Sequence, residues 1–531
     1  MNDKPKLRLR KFYFHPITMY LLLIVAVVLL SAILSGLEMQ ATYSVVNRNT
    51  NELDQTLVAV ENMLSFDGLK FIISNAAKNF LSFGPVVSLI ISLIGISIAE
   101  ATGMIEVFSK KYLKNMNKGV LTFLIIFLAT ISSLINDVGY AILIPLIALV
   151  YFIIGRNPIL GIVTTFCGVA FGYGVSIFVG STEVALMDYT KNAAMLIDEN
   201  AHIALTSNLI FIIVASIILS IVGTLIIEKI IAPKIGKYKK EEEFAATEQY
   251  HALNLEEEEQ KRIEREKNEK KGLRFALIVS ILVLGVFIYS LIPNLPHSGM
   301  LLDLQETTYL NQLFGDNSYF QDGFTYMMAL FFVLAGLAYG LGSKSIKNDR
   351  DLIEKATANL SKIGQPIILL FVVSQFIAIF KKTNIGLIVT AWLANLLQTL
   401  SLSGIPLIVI TLIFIALANF IYTGSANKWL VFAPVVVPMF MQSNISPQFA
   451  QIVMRAGDSM ANGYTPFLAA SVIYLAYLNL YNLNKEKPYT INRSFRLITP
   501  YFALISLTWI LLIVGWYIIG LPIGPGVYPT I

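Results

Sequence analysis

A basic and an acidic side chain stand three residues apart in a long, largely apolar part of the chain. They are Arg455 and Asp458, within the string SPQFAQIVMRAGDSMANGYTP. A spacing of three places both on one face of a helix, and charged groups inside a membrane-spanning helix usually face a cavity or each other. The pattern indicates either a structural ion pair, or a site in which Asp458 binds a proton or cation and Arg455 is its partner or anchors an anionic substrate.

Two other apolar segments, 119–155 and 404–442, are interrupted near their middles by short polar strings. Non-helical backbone at membrane depth leaves N–H and C=O groups that need a partner. Half-helix N-termini suit a carboxylate, and carbonyl and side-chain oxygens suit a hard cation such as Na⁺. The candidates are Ser132, Ser133, Asn136 and Asp137 in the first segment and Asn419, Thr423, Ser425 and Asn427 in the second. Together they predict a site for an anion that is carried with a cation.

Two further residues stand beside these interruptions. Glu183 follows the string GYGVS, and it either contacts substrate or lies at the external end of a span. Trp429 follows the second polar string, and it either stacks on an aromatic substrate or is an ordinary interfacial tryptophan. The residue types leave both pairs of alternatives open.

Other kinds of chemistry lack the residues that they need. The single cysteine, Cys167, excludes a disulfide framework, and the four histidines show no metal-ligand spacing. Lys344 follows Ser343 instead of the glycine that a phosphate loop requires, so we predict no ATP-driven pump. An intramembrane hydrolase would need Asp137 and Asp458 to converge. We predict no enzyme activity, no nucleic-acid partner and no cofactor, with Na⁺ or H⁺ as the coupling ion.

Composition places these residues in a lipid bilayer, because 56% of the 531 residues are apolar and only 14% are charged. About nine apolar stretches are long enough to span it. They are 17–37, 84–106, 158–182, 205–232, 275–293, 323–343, 364–381, 447–482 and 498–522. Lys and Arg in short loops stay cytoplasmic, which predicts a cytoplasmic N-terminus and an external C-terminus.

The two interrupted segments predict re-entrant hairpins that enter the membrane from opposite faces. The hairpin 119–155 begins and ends on the cytoplasmic side, and 404–442 begins and ends outside. The Ser132–Pro145 spacing equals that of Ser425–Pro438, and Pro158, Gly168 and Gly174 repeat as Pro447, Gly457 and Gly463. Each half runs span, hairpin, broken span, span. We therefore predict an all-α integral membrane protein with an inverted repeat, an arrangement typical of secondary transporters.

The same pattern sets the predicted organisation of the chain. Its parts are 1–83 (N-terminal segment, first span and external loop), 84–232 (first repeat), 233–274 (charged cytoplasmic linker), 275–363 (two intervening scaffold spans), 364–522 (second repeat) and 523–531 (external tail). The linker is either a solvated helix supported by i,i+4 charge pairs or a regulatory element. Segment 384–402 is interpreted as an interfacial or tilted helix, with a tenth span as the alternative.

The chain resembles the p-aminobenzoyl-glutamate transporter (AbgT) family over nearly its whole length. The resemblance is carried by NDVGYAILIPLIALVYFIIGRNPILG, STEVALMDYTKNAA and SANKWLVFAPVVVPMFMQSNISPQFAQIVMRAGDSMANGYTP. It implies a homodimer with nine spans and two hairpins. The family positions for substrate and coupling match Asn419, Trp429, Pro438, Arg455, Asp458 and Pro466. The chain departs from the family at Ala426, where the hairpin serine is normally found, and at Glu183, where aspartate is common.

The resemblance implies cation-coupled transport of p-aminobenzoyl-glutamate, related aromatic carboxylates or antimetabolites such as sulfonamides. The transport is either uptake or efflux, and the protein is expected in a bacterial inner membrane. The alternative is a Na⁺-coupled dicarboxylate or other organic anion carrier, since paired hairpins are shared with such carriers. The sequence also predicts that Asp458→Asn abolishes coupled flux and leaves the fold intact.

Overall fold

The computed structural model describes residues 14–47, 50, 52–135, 138–238, 255–315 and 317–531. The first part of the chain is mostly helical. It contains α1 (Pro16–Gly36), strands β1 (Gln40–Val46) and β2 (Leu53–Ala59), α2 (Phe66–Ser74), α3 (Ala76–Leu81), α4 (Gly84–Ala101), α5 (Met104–Phe108), α6 (Lys118–Ile131), α7 (Val138–Ile153), α8 (Pro158–Phe171), α9 (Ser181–Ala194), α10 (Leu209–Ile226) and α11 (Ala232–Ile235).

The second part continues in the same way. It contains α12 (Leu255–Tyr289), α13 (Tyr309–Phe314), α14 (Tyr319–Ser343), α15 (Asp349–Leu360), α16 (Gly364–Lys382), α17 (Ile385–Thr399), α18 (Gly404–Asn419), α19 (Ser425–Gln442), α20 (Pro447–Asn462), α21 (Ser471–Leu480) and α22 (Ile491–Ile519). Turns of π-helix follow α5 and α10, at Ser109–Leu113 and Ile227–Ile231, and 3₁₀ turns follow α6 and α15, at Ser132–Ile135 and Ser361–Ile363.

Eight helices among the described residues are long and apolar enough to cross a membrane. Seven of them coincide with predicted spans: α1, α4, α10 with its continuation, the apolar part of α12, α14, α16 and α22. The eighth, Lys118–Ile135, is the first arm of the predicted hairpin 119–155. The fold is therefore that of a helical membrane protein, as predicted, while the exact number of crossings and the re-entrant depth of the hairpins stay predictions.

The two predicted broken spans, 158–182 and 447–482, are interrupted helices. The first does not end at residue 182: α8 stops at Phe171, irregular backbone covers 172–180, and α9 continues to Ala194. The prediction stopped short because α9 is polar in sequence, yet one face of it is buried against α19. In the second broken span, 463–470 separates α20 from α21. Both halves therefore contain helix, break, helix at this place.

The central helices α8 and α20 begin in equivalent ways. Pro158 and Pro447 occupy the first positions, where a missing N–H costs nothing and φ is already helical. The side chains of Asn157 and Ser446 accept hydrogen bonds from first-turn N–H groups. Almost every residue of both helices is buried. These two helices therefore form the centre of the protein.

Each central helix packs closely on the first arm of the hairpin before it. A Cβ at Gly168 would lie 2.7 Å from Ala129 Cβ on α6, and one at Gly457 would lie 2.7 Å from the Leu412 carbonyl oxygen on α18. Only glycine permits this approach. The two glycines are the ones that the repeat pairs with each other, so equivalent residues make equivalent contacts in the two halves.

The hairpin tips are bonded to the breaks that follow them. Ser133 Oγ donates to the Val175 carbonyl at 2.9 Å in the first half, and Thr423 Oγ1 donates to the Phe467 carbonyl at 3.3 Å in the second. These bonds supply partners for irregular backbone inside the protein. Each hairpin and its broken span therefore form one unit.

The two breaks also pack against the opposite half. A Cβ on Gly174, in the first break, would lie 2.4 Å from Ser459 Oγ and 2.7 Å from the Arg455 carbonyl oxygen on α20. A Cβ on Gly463, in the second break, would lie 2.7 Å from the Phe171 ring. Neither place has room for a larger residue, so the halves interlock at their centres.

We expect Gly174→Ala to destabilise the protein by about 1–3 kcal/mol, because the added methyl group overpacks the crossing with α20. Thermal unfolding of the purified protein in detergent measures the loss. Gly285→Ala on α12 is the matched control, since no atom lies within 4 Å of a Cβ there. An unchanged unfolding temperature for Gly174→Ala would contradict the close packing at this crossing.

Three features differ from the predicted organisation or refine it. The loop predicted over 38–83 contains an antiparallel hairpin of β1 and β2 that packs on α17, so the fold is not helical throughout. Part of the predicted linker 233–274 belongs to α12, where Arg262–Glu266 and Arg265–Glu269 form exposed i,i+4 pairs. Segment 384–402 is the separate helix α17 and leads into α18.

Candidate functional site

A buried lysine contacts the predicted coupling residue. Lys428, in the first turn of α19, is fully buried, and its ammonium contacts Oδ1 of both Asp458 and Asn419. The other carboxylate oxygen of Asp458 accepts a hydrogen bond from Ser425 Oγ. Asn419 Nδ2 also donates to the Asp458 carbonyl oxygen at 2.8 Å. The end of α18, the start of α19 and the middle of α20 are thereby joined around one ion pair.

Arg455 forms the second buried ion pair, and its partner is Glu183 at the start of α9. Arg455 Nη2 also donates to the Tyr173 carbonyl oxygen in the first break at 3.0 Å. The other Glu183 oxygen accepts from the Gly180 N–H at 3.1 Å, which caps α9. The second ion pair therefore ties α20 to the broken span of the other half.

The sequence left open an ion pair between Arg455 and Asp458, and the structure contradicts that pairing. Three residues of helix place the two side chains on one face, but Asp458 is reached by Lys428 and Arg455 extends to Glu183. Glu183 accordingly lies inside the protein instead of at an external helix end. The four charged side chains are between 0% and 5% exposed, and their formal charges sum to zero. Because an isolated buried charge is very costly, each group depends on its partner.

Trp429 is also fully buried, directly after Lys428. Its indole N–H donates to Thr190 Oγ1 at 2.8 Å, and Thr190 in turn donates to Gln451 Oε1 at 2.7 Å. This chain of bonds joins α19, α9 and α20. The ring is enclosed by protein in this conformation, so contact with a substrate requires the hairpin or α9 to move.

The other predicted site residues that the structure describes lie around this centre, not in it. Ser132 Oγ donates to the Ala129 carbonyl within its own turn, and Asn427 is exposed. Pro438 lies inside α19, while the carbonyl of Pro466 in the second break accepts from Tyr20 at 3.5 Å. The two remaining tip residues, Asn136 and Asp137, lie outside the described part of the chain. The structure thus brings together Asn419, Ser425, Arg455, Asp458 and Glu183.

Sequence reasoning missed the role of Lys428 as the partner of Asp458. The available signal was a lysine in the first turn of a helix that carries no other charge. Thr190 and Gln451 were missed as well, because a single hydroxyl or amide on a buried helix has no distinctive pattern.

A cavity of about 400 Å³ opens beside this centre. The hairpin of α18 and α19, called hairpin 2 below, contributes Ser425 and Ala426 to its lining. The first broken span contributes Tyr173, Thr182 and Tyr189. Further lining comes from the loop before α13, from α13 and from the start of α14, with Glu306, Asn311, Phe314 and Gln321. Its volume suits a small molecule, and its wall combines aromatic rings with amide, hydroxyl and carboxylate groups.

Comparison with known proteins identifies the family of the chain. Residues 11–531 match the sequence profile of the family described as "AbgT putative transporter family". The chain belongs to this transporter family. It is 30% identical over 518 residues to the p-aminobenzoyl-glutamate transport protein of Escherichia coli (strain K12), a match that spans 97% of this chain and 94% of that protein. The resemblance seen in the sequence is therefore confirmed, and the chain is a transport protein rather than an enzyme.

Two solved structures are similar to this AbgT-family chain. The Alcanivorax borkumensis YdaH transporter has 26% identity and a TM-score of 0.47, covering 96% of this chain and all of that one. Neisseria gonorrhoeae MtrF, described as illuminating a class of antimetabolite efflux pumps, has 26% identity and a TM-score of 0.47, covering 97% of this chain and 98% of that one.

Proposed function

We propose that this AbgT-family protein is a cation-coupled secondary transporter that moves p-aminobenzoyl-glutamate or a related aromatic carboxylate by alternating access. The observation that carries the proposal is the double ion pair of Lys428, Asp458, Arg455 and Glu183, which lies where hairpin 2 meets both broken spans. Buried charges at interrupted helices are typical of transport sites. The match to the p-aminobenzoyl-glutamate transport protein supports the choice of substrate.

The aromatic and amide groups of the cavity fit the ring and amide of such a substrate, whereas its two acidic side chains would repel the carboxylates. Tyr173, Tyr189 and Phe314 offer aromatic faces, and Asn311 and Gln321 offer amide groups. A substrate carboxylate would bind Arg455 by taking the place of Glu183, and Glu183 would then take up a proton or the coupling cation to stay compensated. Anion binding and the state of the buried charges are thereby coupled.

The proposal includes the setting of the protein. We place it in a bacterial inner membrane as a homodimer, with the N-terminus in the cytoplasm and the C-terminus outside. The direction follows the gradients, so uptake of p-aminobenzoyl-glutamate and efflux of antimetabolites such as sulfonamides use one site with opposite net flux.

Counterflow in proteoliposomes tests the substrate class. Vesicles loaded with unlabelled p-aminobenzoyl-glutamate should accumulate the labelled compound, while vesicles loaded with succinate should not. Preference for succinate would replace the proposal with a dicarboxylate carrier. Flux driven by a Na⁺ gradient alone and then by a pH gradient alone identifies the coupling ion, and transport that responds to neither would rule out cation coupling.

A substitution at Trp429 tests direct contact with the aromatic ring. If Trp429 stacks on the substrate when the hairpin moves, Trp429→Leu should weaken the binding of p-aminobenzoyl-glutamate by up to about tenfold more than Trp429→Phe does, because aromatic pairing adds about 0.5–1.5 kcal/mol. Trp429→Phe keeps a ring and is the matched control. Equal losses of affinity in the two variants would leave Trp429 only the packing role that its bond to Thr190 shows.

A further inference from the structure

The position between Asn419 and Asp458 has the composition of a cation site, and a side chain occupies it. An amide oxygen and a carboxylate oxygen converge on one point, and hard cations prefer such ligands. The Lys428 ammonium lies at that point. Ser425, by donating to the second carboxylate oxygen, orients Asp458 toward it.

Charge balance sets what can replace the ammonium. The two ion pairs are neutral together and almost fully buried, so one additional cation would leave an uncompensated charge in the protein interior. Lysine can lose its proton in such surroundings, whereas arginine cannot. The buried group of charges therefore stays neutral when a monovalent cation binds, provided that Lys428 gives up one proton.

We infer that Lys428 is a tethered competitor of the coupling cation: its ammonium holds the Asn419–Asp458 position, and Na⁺ enters only as one proton leaves. The proton passes from Lys428 Nζ to the Asp458 carboxylate and then to water in the cavity, and Na⁺ takes its place between the oxygens. One positive charge enters and one leaves. The inference rests on the proposed function as a cation-coupled transporter, and it names the residue that exchanges the ion.

The cavity provides the route for this exchange. Ser425 lines the cavity and also contacts Asp458, so it lies between solvent and the ion pair. Asp188 and Glu306 line the same cavity, and its described lining includes no lysine or arginine. Such an environment attracts cations.

The neighbouring helices present few competing groups. Helices α17 and α18 carry no ionisable side chain, and Lys428 is the one such residue on α19. The ionisable residues on the other elements packed against α19 are Arg455 and Asp458 on α20; Glu183, Asp188, Tyr189 and Lys191 on α9; and Tyr43 on β1. Among the described residues, the acid in contact with the Lys428 ammonium is Asp458.

Binding of ²²Na⁺ to the purified full-length protein at several pH values tests the inference. While Lys428 is protonated, the apparent Na⁺ affinity of the parent protein should rise about tenfold for each unit of pH. Lys428→Gln should bind Na⁺ without that pH dependence, and Lys428→Arg, whose guanidinium keeps its proton, should not bind it. Lys191→Gln removes an exposed lysine from α9 and should behave like the parent.

Several results would overturn the inference. They are a parent-like pH dependence in Lys428→Gln, parent-like binding in Lys428→Arg, and no Na⁺ binding by either the parent or Lys428→Gln. If Lys428→Gln does not fold, proton release from the parent protein tests the inference instead. Adding Na⁺ to the parent protein in a weak buffer should release about one proton per ion bound. Na⁺ binding without proton release would overturn the inference.

Binding of labelled p-aminobenzoyl-glutamate to the same sample separates this inference from the proposed function. Substrate binding without Na⁺–H⁺ exchange would defeat only the role of Lys428. Exchange without substrate binding would defeat the proposed substrate and leave the role of Lys428 in place.

Discussion

Asp458→Asn is expected to lower the free energy of unfolding by about 3–5 kcal/mol and to abolish coupled flux. The substitution leaves the Lys428 ammonium without a counter-charge at a place with no solvent exposure. The sequence alone predicted loss of flux with an intact fold; the buried lysine changes that expectation. Unfolding in mixed micelles measures the stability, and gradient-driven uptake into proteoliposomes measures the flux.

The double variant Lys428→Gln with Asp458→Asn separates the two effects. Two neutral amides can hydrogen-bond to each other and to Asn419. The double variant should therefore regain most of the stability that Asp458→Asn loses. Transport should stay absent, because neither group then exchanges an ion. The double-mutant cycle gives the coupling energy between the residues. A single Asp458→Asn variant that is as stable and as active as the parent would show that the ion pair contributes to neither property.

Glu183→Gln is expected to have an effect of similar size, because it leaves Arg455 buried without a carboxylate partner. The free protein should lose about 3–5 kcal/mol of stability. Under the proposed function, p-aminobenzoyl-glutamate should then raise the unfolding temperature more in this variant than in the parent, since its carboxylate meets an uncompensated guanidinium. Thermal unfolding with and without the compound measures both effects.

Two further variants define the role of Glu183. Glu199→Gln removes an exposed acid and should change nothing. Glu183→Asp shortens the side chain that both caps α9 at Gly180 and pairs with Arg455, so it should keep one of these contacts and lose part of the stability. Equal stability of Glu183→Gln and the parent would contradict the ion pair with Arg455.

The sequence predicted which segments are interrupted, because glycine and proline set the local backbone directly. The repeated spacing of Gly168 and Gly457 correctly marks two places where helices make close contact. The burial of Arg455 and Asp458 also followed from their position in an apolar span. The local pattern therefore predicted the long apolar helices, the two breaks and most residues that converge.

The partners of the buried charges could not be predicted from the same pattern. Spacing along one helix fixes the face of Arg455 and Asp458, but the opposing residue depends on how α9 and α19 pack, which is a long-range property. Glu183 was ambiguous because α9 is polar in sequence although the fold buries one face of it. Lys428 was ambiguous because its neighbour across the hairpin cannot be found by counting residues.

The interlocked breaks have a consequence for biogenesis. Gly174 in the first half packs against α20, and the guanidinium of Arg455 bonds to the Tyr173 carbonyl. During synthesis, Gly174 therefore lacks its packing partner and Glu183 lacks its counter-charge until α20 has been made. Nascent chains that stop before α20 should be degraded by membrane quality control, and co-expression of the two halves as separate polypeptides should protect both.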